Sequence, residues 1–220
     1  MSSQGKFIAI EGTDGSGKTV QFERLILALP EGIKLGTLDF PRYSEPSSYF
    51  VQKYLTGRYG GEVGPYTAAL FYALDRFDSR LKTLQWLEEE GRFVVANRYV
   101  GSNMAHQGAK IETKHEREKF YKWLYTLEYE TMAIPKPDLS IILHVPAEVS
   151  KELLLKTGKK QDLHEASFDH QKRAEQVYLE IASLFPNDFR IVECMENGAL
   201  LSPERIHEKV WAIVGKIIGE

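Results

Sequence analysis

Short apolar runs alternate with longer stretches of helical periodicity along this chain. Five runs read as strands, over 7–11, 34–40, 93–96, 139–145 and 189–193. They are rich in β-branched and aromatic residues and do not alternate strictly, which is the pattern of strands buried on both faces of a parallel sheet. Helical spacing predicts helices over 19–29, 66–90, 112–132, 168–185 and 203–218. The second of these sets Leu70, Leu74, Phe77, Leu81 and Leu84 on one stripe. This strand–helix rhythm predicts an α/β fold in three layers, a parallel sheet of about five strands with helices on both faces. Ligands of such sheets sit beyond the carboxyl ends of the strands.

The first strand and helix flank Gly12-Thr13-Asp14-Gly15-Ser16-Gly17-Lys18-Thr19, which fits G-x-x-x-x-G-K-[ST]. Its glycines let backbone N–H groups fold around a phosphate, and the helix N-terminus adds its dipole. Lys18 is expected to reach the β- and γ-phosphates, and Thr19 to ligate Mg²⁺. The fold class is therefore that of P-loop NTPases, with a nucleoside triphosphate held by Gly12, Asp14, Gly15, Ser16, Gly17, Lys18 and Thr19; GTPases, ATPases and small-molecule kinases all carry such a loop.

Three further segments each bring an arginine: FPRY with Arg42, LFYALDR with Arg76, and NRYVGSNMAHQG with Arg98. A guanidinium forks onto phosphate oxygens. A phosphate monoester, with a second pKa of about 6, is already mostly dianionic at pH 7 and needs no general base. A nucleoside acceptor needs a carboxylate base at the end of the second strand. On the sequence, Pro41-Arg42 stands there, which favours a monophosphate acceptor.

Composition bounds the rest. The 220 residues suit one domain, 43% are hydrophobic and 27% charged, and the net charge is −3. No basic footprint for nucleic acid is present. No apolar run is long enough for a membrane span. The single cysteine, Cys194, and the polar N-terminus MSSQGK predict a reducing, cytoplasmic location.

Nearly end to end the chain resembles the thymidylate kinase family. The likeness rests on FIAIEGTDGSGKT, FPRY, LFYALDR, NRYVGSNMAHQG, IPKPDL and QDLHEASFDHQKRAEQVYLEIA. The resemblance implies transfer of the ATP γ-phosphoryl group to dTMP. It implies that Arg42 and Arg98 grip the dTMP phosphate. Tyr72 stacks on thymine, Arg76 and Asn103 hydrogen-bond it with Ser102 or Gln107, and Asp14 meets the 3′-OH. Phe40 and Tyr43 line the sugar side. His106 takes the place of the family's usual tyrosine, which screens against a ribose 2′-OH.

Two departures concern catalysis. Asn97 stands where the family usually has aspartate, so Mg²⁺ falls to Thr19, Asn97 and Glu165, with Glu11 and Asp14 as possible compensation. The lid, expected over 156–165, carries Lys156, Lys159 and Lys160 but no arginine. Lys159 and Lys160 are then expected to act beside Lys18, Arg98 and Asp14. A lid without arginine and Asn97 keep a non-catalytic homologue as one alternative, and a deoxynucleoside kinase is another. The family's paired helices imply a homodimer, with 66–90 and 112–132 as the aromatic-rich candidates.

Overall fold

The computed structural model describes residues 5–60, 63–157 and 168–219. Its sheet comprises β1 (Lys6–Glu11), β2 (Lys34–Asp39), β3 (Arg92–Asn97), β4 (Leu139–His144) and β5 (Phe189–Glu193). The strand order is β2-β3-β1-β4-β5, and every pairing is parallel. β1 lies at the centre, and Phe7, Ile8, Ala9 and Ile10 are fully buried. Successive side chains leave a strand on opposite faces, so these four divide between two cores. Phe7 and Ala9 join one with Val94, Ala96 and Ile142. Ile8 and Ile10 join the other with Val95, Ile141 and Leu143.

Helices cover both faces. On one side lie α1 (Lys18–Ala28) and α9 (Pro203–Ile218), which bring Leu25, Ile206, Val210 and Val214 to the second core. On the other, α3 (Pro65–Asp78), α5 (Val100–Gly108), α6 (Lys114–Tyr125) and α8 (Phe168–Leu184) meet the first. Full burial of each such side chain stabilises by about 1.5–3 kcal/mol. The layered parallel sheet foreseen from the hydrophobic pattern is present.

The helical stretch 66–90 is two helices, α3 and α4 (Arg80–Glu88), broken at Ser79. The Ser79 hydroxyl donates to the Arg76 carbonyl at 2.7 Å. Such local bonds compete with the helical ladder. The stretch 112–132 also divides. Thr113 caps α6 by accepting from the Glu116 N–H at 3.2 Å, and a π turn over Thr126–Thr131 follows α6. Three helices were not foreseen: α2 (Tyr49–Leu55), α5 and α7 (Ala147–Thr157). α5 is buried at all positions but His106, so it shows no apolar stripe to read.

Candidate active site

β1 turns into α1 through the glycine loop. Gly12 and Gly15 adopt φ of 143° and 83°, and a Cβ on Gly15 would stand 2.4 Å from the Ser150 carbonyl oxygen. Lys18 opens α1 and is buried, its Nζ 2.6 Å from the Thr13 carbonyl and 3.9 Å from Asp14 Oδ1. Thr19 is exposed beside it. Ser16 Oγ is buried with no hydrogen-bond partner among the described residues. The loop thus keeps a buried cation and a buried hydroxyl at the start of a helix.

Asp14 reaches across to Arg98, and the two side chains form a short ion pair. Burial opposes ionisation of Asp14, but Arg98, Lys18 and His106 outweigh it and hold the carboxyl well below its usual range. Arg98 follows β3 with φ of 63°, in the left-handed region. Its N–H donates to the Ile10 carbonyl at 2.9 Å, which anchors the strained backbone. Strain of this kind costs on the order of 1–3 kcal/mol and persists where the surroundings enforce it. Arg98 Nη1 also lies 3.3 Å from His106 Nε2, and His106 stacks near His170 at 5.8 Å between ring centroids.

Arg98 and Asp14 border a cavity of about 260 Å³ that Phe40, Tyr43, Tyr72, Arg76, Ser102, Asn103, His106 and Gln107 also line. Sequence reasoning did not name Asp39, Leu55 and Tyr99, which line it as well. Leu55 lies on the unforeseen α2, and Tyr99 reads as a core residue. Arg42 does not line the cavity, although its neighbours Pro41 and Tyr43 do. Its guanidinium is held by Asp75, Ser47 and Asp78, with Nη2 2.6 Å from Asp78 Oδ2. Phe71 stacks on Phe50 at 5.6 Å, away from the cavity lining, so of the two neighbouring aromatics Tyr72 is the one presented there.

Arg76 is fixed by Glu128, which the sequence did not reveal. Arg76 Nε and Nη2 donate to the two Glu128 oxygens at 2.5 and 2.6 Å, and both residues are buried. The π turn after α6 is what carries Glu128 here. Asn103 Nδ2 donates to Glu128 Oε1 and to the Ala69 carbonyl, both at 3.0 Å. Two acceptors on one nitrogen fix which way the amide points. Asn103 Oδ1 is left as a buried acceptor with no partner among the described residues.

Two expected roles meet competing partners. Ser102 donates to Glu11 Oε2 at 2.5 Å, and Gln107 Oε1 accepts from Lys110 at 2.7 Å. Glu11 also accepts from the Tyr99 N–H at 2.9 Å and is fully buried, which raises its pKa. Its oxygens serve the α5 entry, so it does not fit the compensating metal role expected of it. Lys159, Lys160 and Glu165 lie outside the described residues.

The end of β2 corrects a premise. Asp39 is a carboxylate at that strand end, and it accepts from Asn97 Nδ2 at 2.9 Å. The end of β2 therefore does carry a carboxylate, and Pro41-Arg42 no longer sets aside a nucleoside acceptor.

The strand–loop–helix unit, the buried lysine and the parallel sheet define an α/β P-loop nucleotide-binding fold. The family model for thymidylate kinase matches residues 10–208. A thymidylate kinase of Mycobacterium tuberculosis is 33% identical over 184 residues, covering 80% of this chain and 85% of its own. One from Bifidobacterium longum is 28% identical over 220 residues, 98% of each chain. A solved thymidylate kinase structure from Candida albicans shares the fold, with a TM-score of 0.77 at 24% identity, covering 98% of this chain and 93% of that one. The chain belongs to the thymidylate kinase family.

Proposed function

We infer that this protein transfers the γ-phosphoryl group of ATP to the 5′-phosphate of dTMP, giving ADP and dTDP for dTTP synthesis. The observation that carries the reading within the structure is the fixed amide of Asn103. Its Oδ1, without a partner among the described residues, needs an N–H donor, and the imide N–H of thymine is one. Cytosine offers an acceptor at that ring position, so its ring nitrogen and Asn103 Oδ1 would face each other with no proton between them. Arg76, which Glu128 clamps, donates to a thymine carbonyl in this reading, and Tyr72, which lines the same cavity, stacks on the ring. Family membership favours dTMP over a nucleoside acceptor.

An acceptor phosphate oxygen attacks the γ-phosphorus, the bond to the β,γ-bridging oxygen breaks, and ADP leaves with that electron pair. The dianion needs no base; repulsion between the two anions is the obstacle. Lys18 and Arg98 offset it and align the groups, and Asp14 holds Arg98 in place. Arg42 joins the acceptor grip by exchanging partners with Asp75 and Asp78. Asp14 also meets the sugar 3′-OH, Phe40 and Tyr43 flank the sugar, and His106 faces its 2′ side. Ser102 and Gln107 complete the base contacts.

Thr19 and Asn97 would hold Mg²⁺: one hydroxyl is exposed at the loop, and Asn97 Oδ1 is a buried oxygen without a partner among the described residues. Hard cations of this kind take oxygen donors, and the ion supplies charge neutralisation between the β- and γ-phosphates. Lys159 and Lys160, in a lid over 156–165, supply further positive charge, and Glu165 serves the metal.

The chain acts as one domain in the cytoplasm and pairs as a homodimer. Tyr66, Leu70, Leu74, Phe77 and Leu81 are exposed along α3 and α4, an apolar stripe suited to a second copy. No described helix is long and apolar enough to cross a membrane.

Chromatographic separation of nucleotides after incubation with ATP, Mg²⁺ and dTMP tests the reaction. ADP and dTDP should form in equal amounts. Hydrolysis of ATP without dTDP would refute it.

A further inference from the structure

Asn97 brings an oxygen but no charge to the Mg²⁺ site, whose assignment rests on the kinase reading above. Asp39 and Asn97 are register partners at the adjoining ends of β2 and β3. Asn97 is buried, and it turns its nitrogen to Asp39 at 2.9 Å while its oxygen has no partner among the described residues. Leu38 and Phe40 enter the core on the α3 and α5 side. Alternation along the strand therefore sends Asp39 to the other face, that of α1 and the glycine loop. Lys18 and Arg98 both act on its charge, and it lines the same cavity as Asp14.

A nucleotide-bound Mg²⁺ is usually served by one or two protein carboxylates besides the phosphates. Asn97 keeps an oxygen but no charge. The carboxylate next to it faces the loop.

We propose that Asp39 supplies a carboxylate to the Mg²⁺ site from the end of β2, directly or through a metal-bound water, so that the acidic group the sheet provides stands one strand over from position 97. Asn97 orients Asp39 through Nδ2 and contributes a neutral oxygen. A carboxylate at position 97 and one at position 39 are then alternatives that serve one ion.

Mn²⁺ titration followed by electron paramagnetic resonance, on the full chain saturated with ADP and without acceptor, reads this out. D39N should weaken Mn²⁺ binding by about 10–100-fold and should not weaken ADP binding in the absence of metal, since it only removes a negative charge near the phosphates. The D39N/N97D variant, which moves the charge across, should recover most of the loss. Circular dichroism on both variants reports folding, and recovery in the double variant excludes a merely damaged D39N. Unchanged Mn²⁺ affinity in D39N would overturn the proposal. So would a D39N that keeps the metal but loses turnover with thymidine, since Asp39 would then be a general base. No acceptor is present in the titration, so a failure to phosphorylate dTMP would remove the kinase reading without altering this result.

Discussion

The phosphate loop, whose Asp14 borders the cavity, and the proposed base slot, which lines it, are put together differently. The loop takes all its groups from consecutive residues, Gly12 to Thr19, between one strand and one helix. The slot gathers Tyr72 and Arg76 from α3, Asn103 from α5 and Glu128 from the π turn after α6. A contiguous motif needs only local backbone geometry to work. A dispersed one needs the tertiary fold first, and it uses a buried ion pair to hold its parts. The loop should therefore fail in chemistry when it is cut, whereas the slot should fail in stability and selectivity together.

The largest expected effect is on the slot. Glu128→Ala leaves Arg76 as an uncompensated buried charge and should cost about 3–5 kcal/mol, read from urea unfolding. Replacing both partners, R76L with E128L, should recover most of that stability while dTMP binding stays lost. Recovery of binding as well would contradict the role given to Arg76. On the loop, Lys18→Ala should lower kcat by about 10²–10³-fold with little change in the unfolding midpoint. A large drop in stability instead would erase the contrast between the two regions.

Smaller effects sharpen the comparison. Tyr72→Ala should raise KM for dTMP more than it lowers kcat, by about tenfold, since stacking contributes on the order of 0.5–1.5 kcal/mol beyond burial. An equal fall in kcat with KM unchanged would place Tyr72 outside the slot. At the end of β4, His144 is flanked by Glu193 at 2.7 Å and Glu175 at 3.0 Å. Burial opposes its ionisation, but those carboxylates outweigh it and raise the pKa. A raised folded pKa means stability that is fully present below about pH 6.5 and is lost as pH rises through the folded value. His144→Asn should flatten that segment of the stability–pH curve, and an unchanged slope would exclude the His144 contribution. Cys194, fully buried with its thiol pushed up to about 12, should resist alkylation at pH 8 until the chain unfolds.

What was legible in the sequence follows the same division. The glycine loop could be read because its pattern, strand and helix are adjacent. The parallel sheet could be read because buried strands are nearly continuous apolar runs. Tyr72 and Arg76 were within reach because one helix turn joins them. Glu128 was not, since a glutamate between Leu127 and Tyr129, two residues from another glutamate, looks like a solvated residue until the π turn buries it against Arg76. α5 was missed because a helix enclosed on almost every side has no stripe. Asp39 was not legible because it is 58 positions from Asn97 along the chain, and only strand register sets the two side by side. Family likeness supplied roles for single residues, but not the partners that hold them.

The most direct test of the account is a parallel measurement of kcat/KM for dTMP, dUMP, dCMP and thymidine with ATP and Mg²⁺. The account predicts turnover of dTMP, weaker use of dUMP, and little with dCMP, whose ring cannot donate to Asn103 Oδ1. Thymidine should be inert. Turnover of thymidine with dTMP unused would contradict the account, because Asp39 would then serve as the base of a nucleoside kinase.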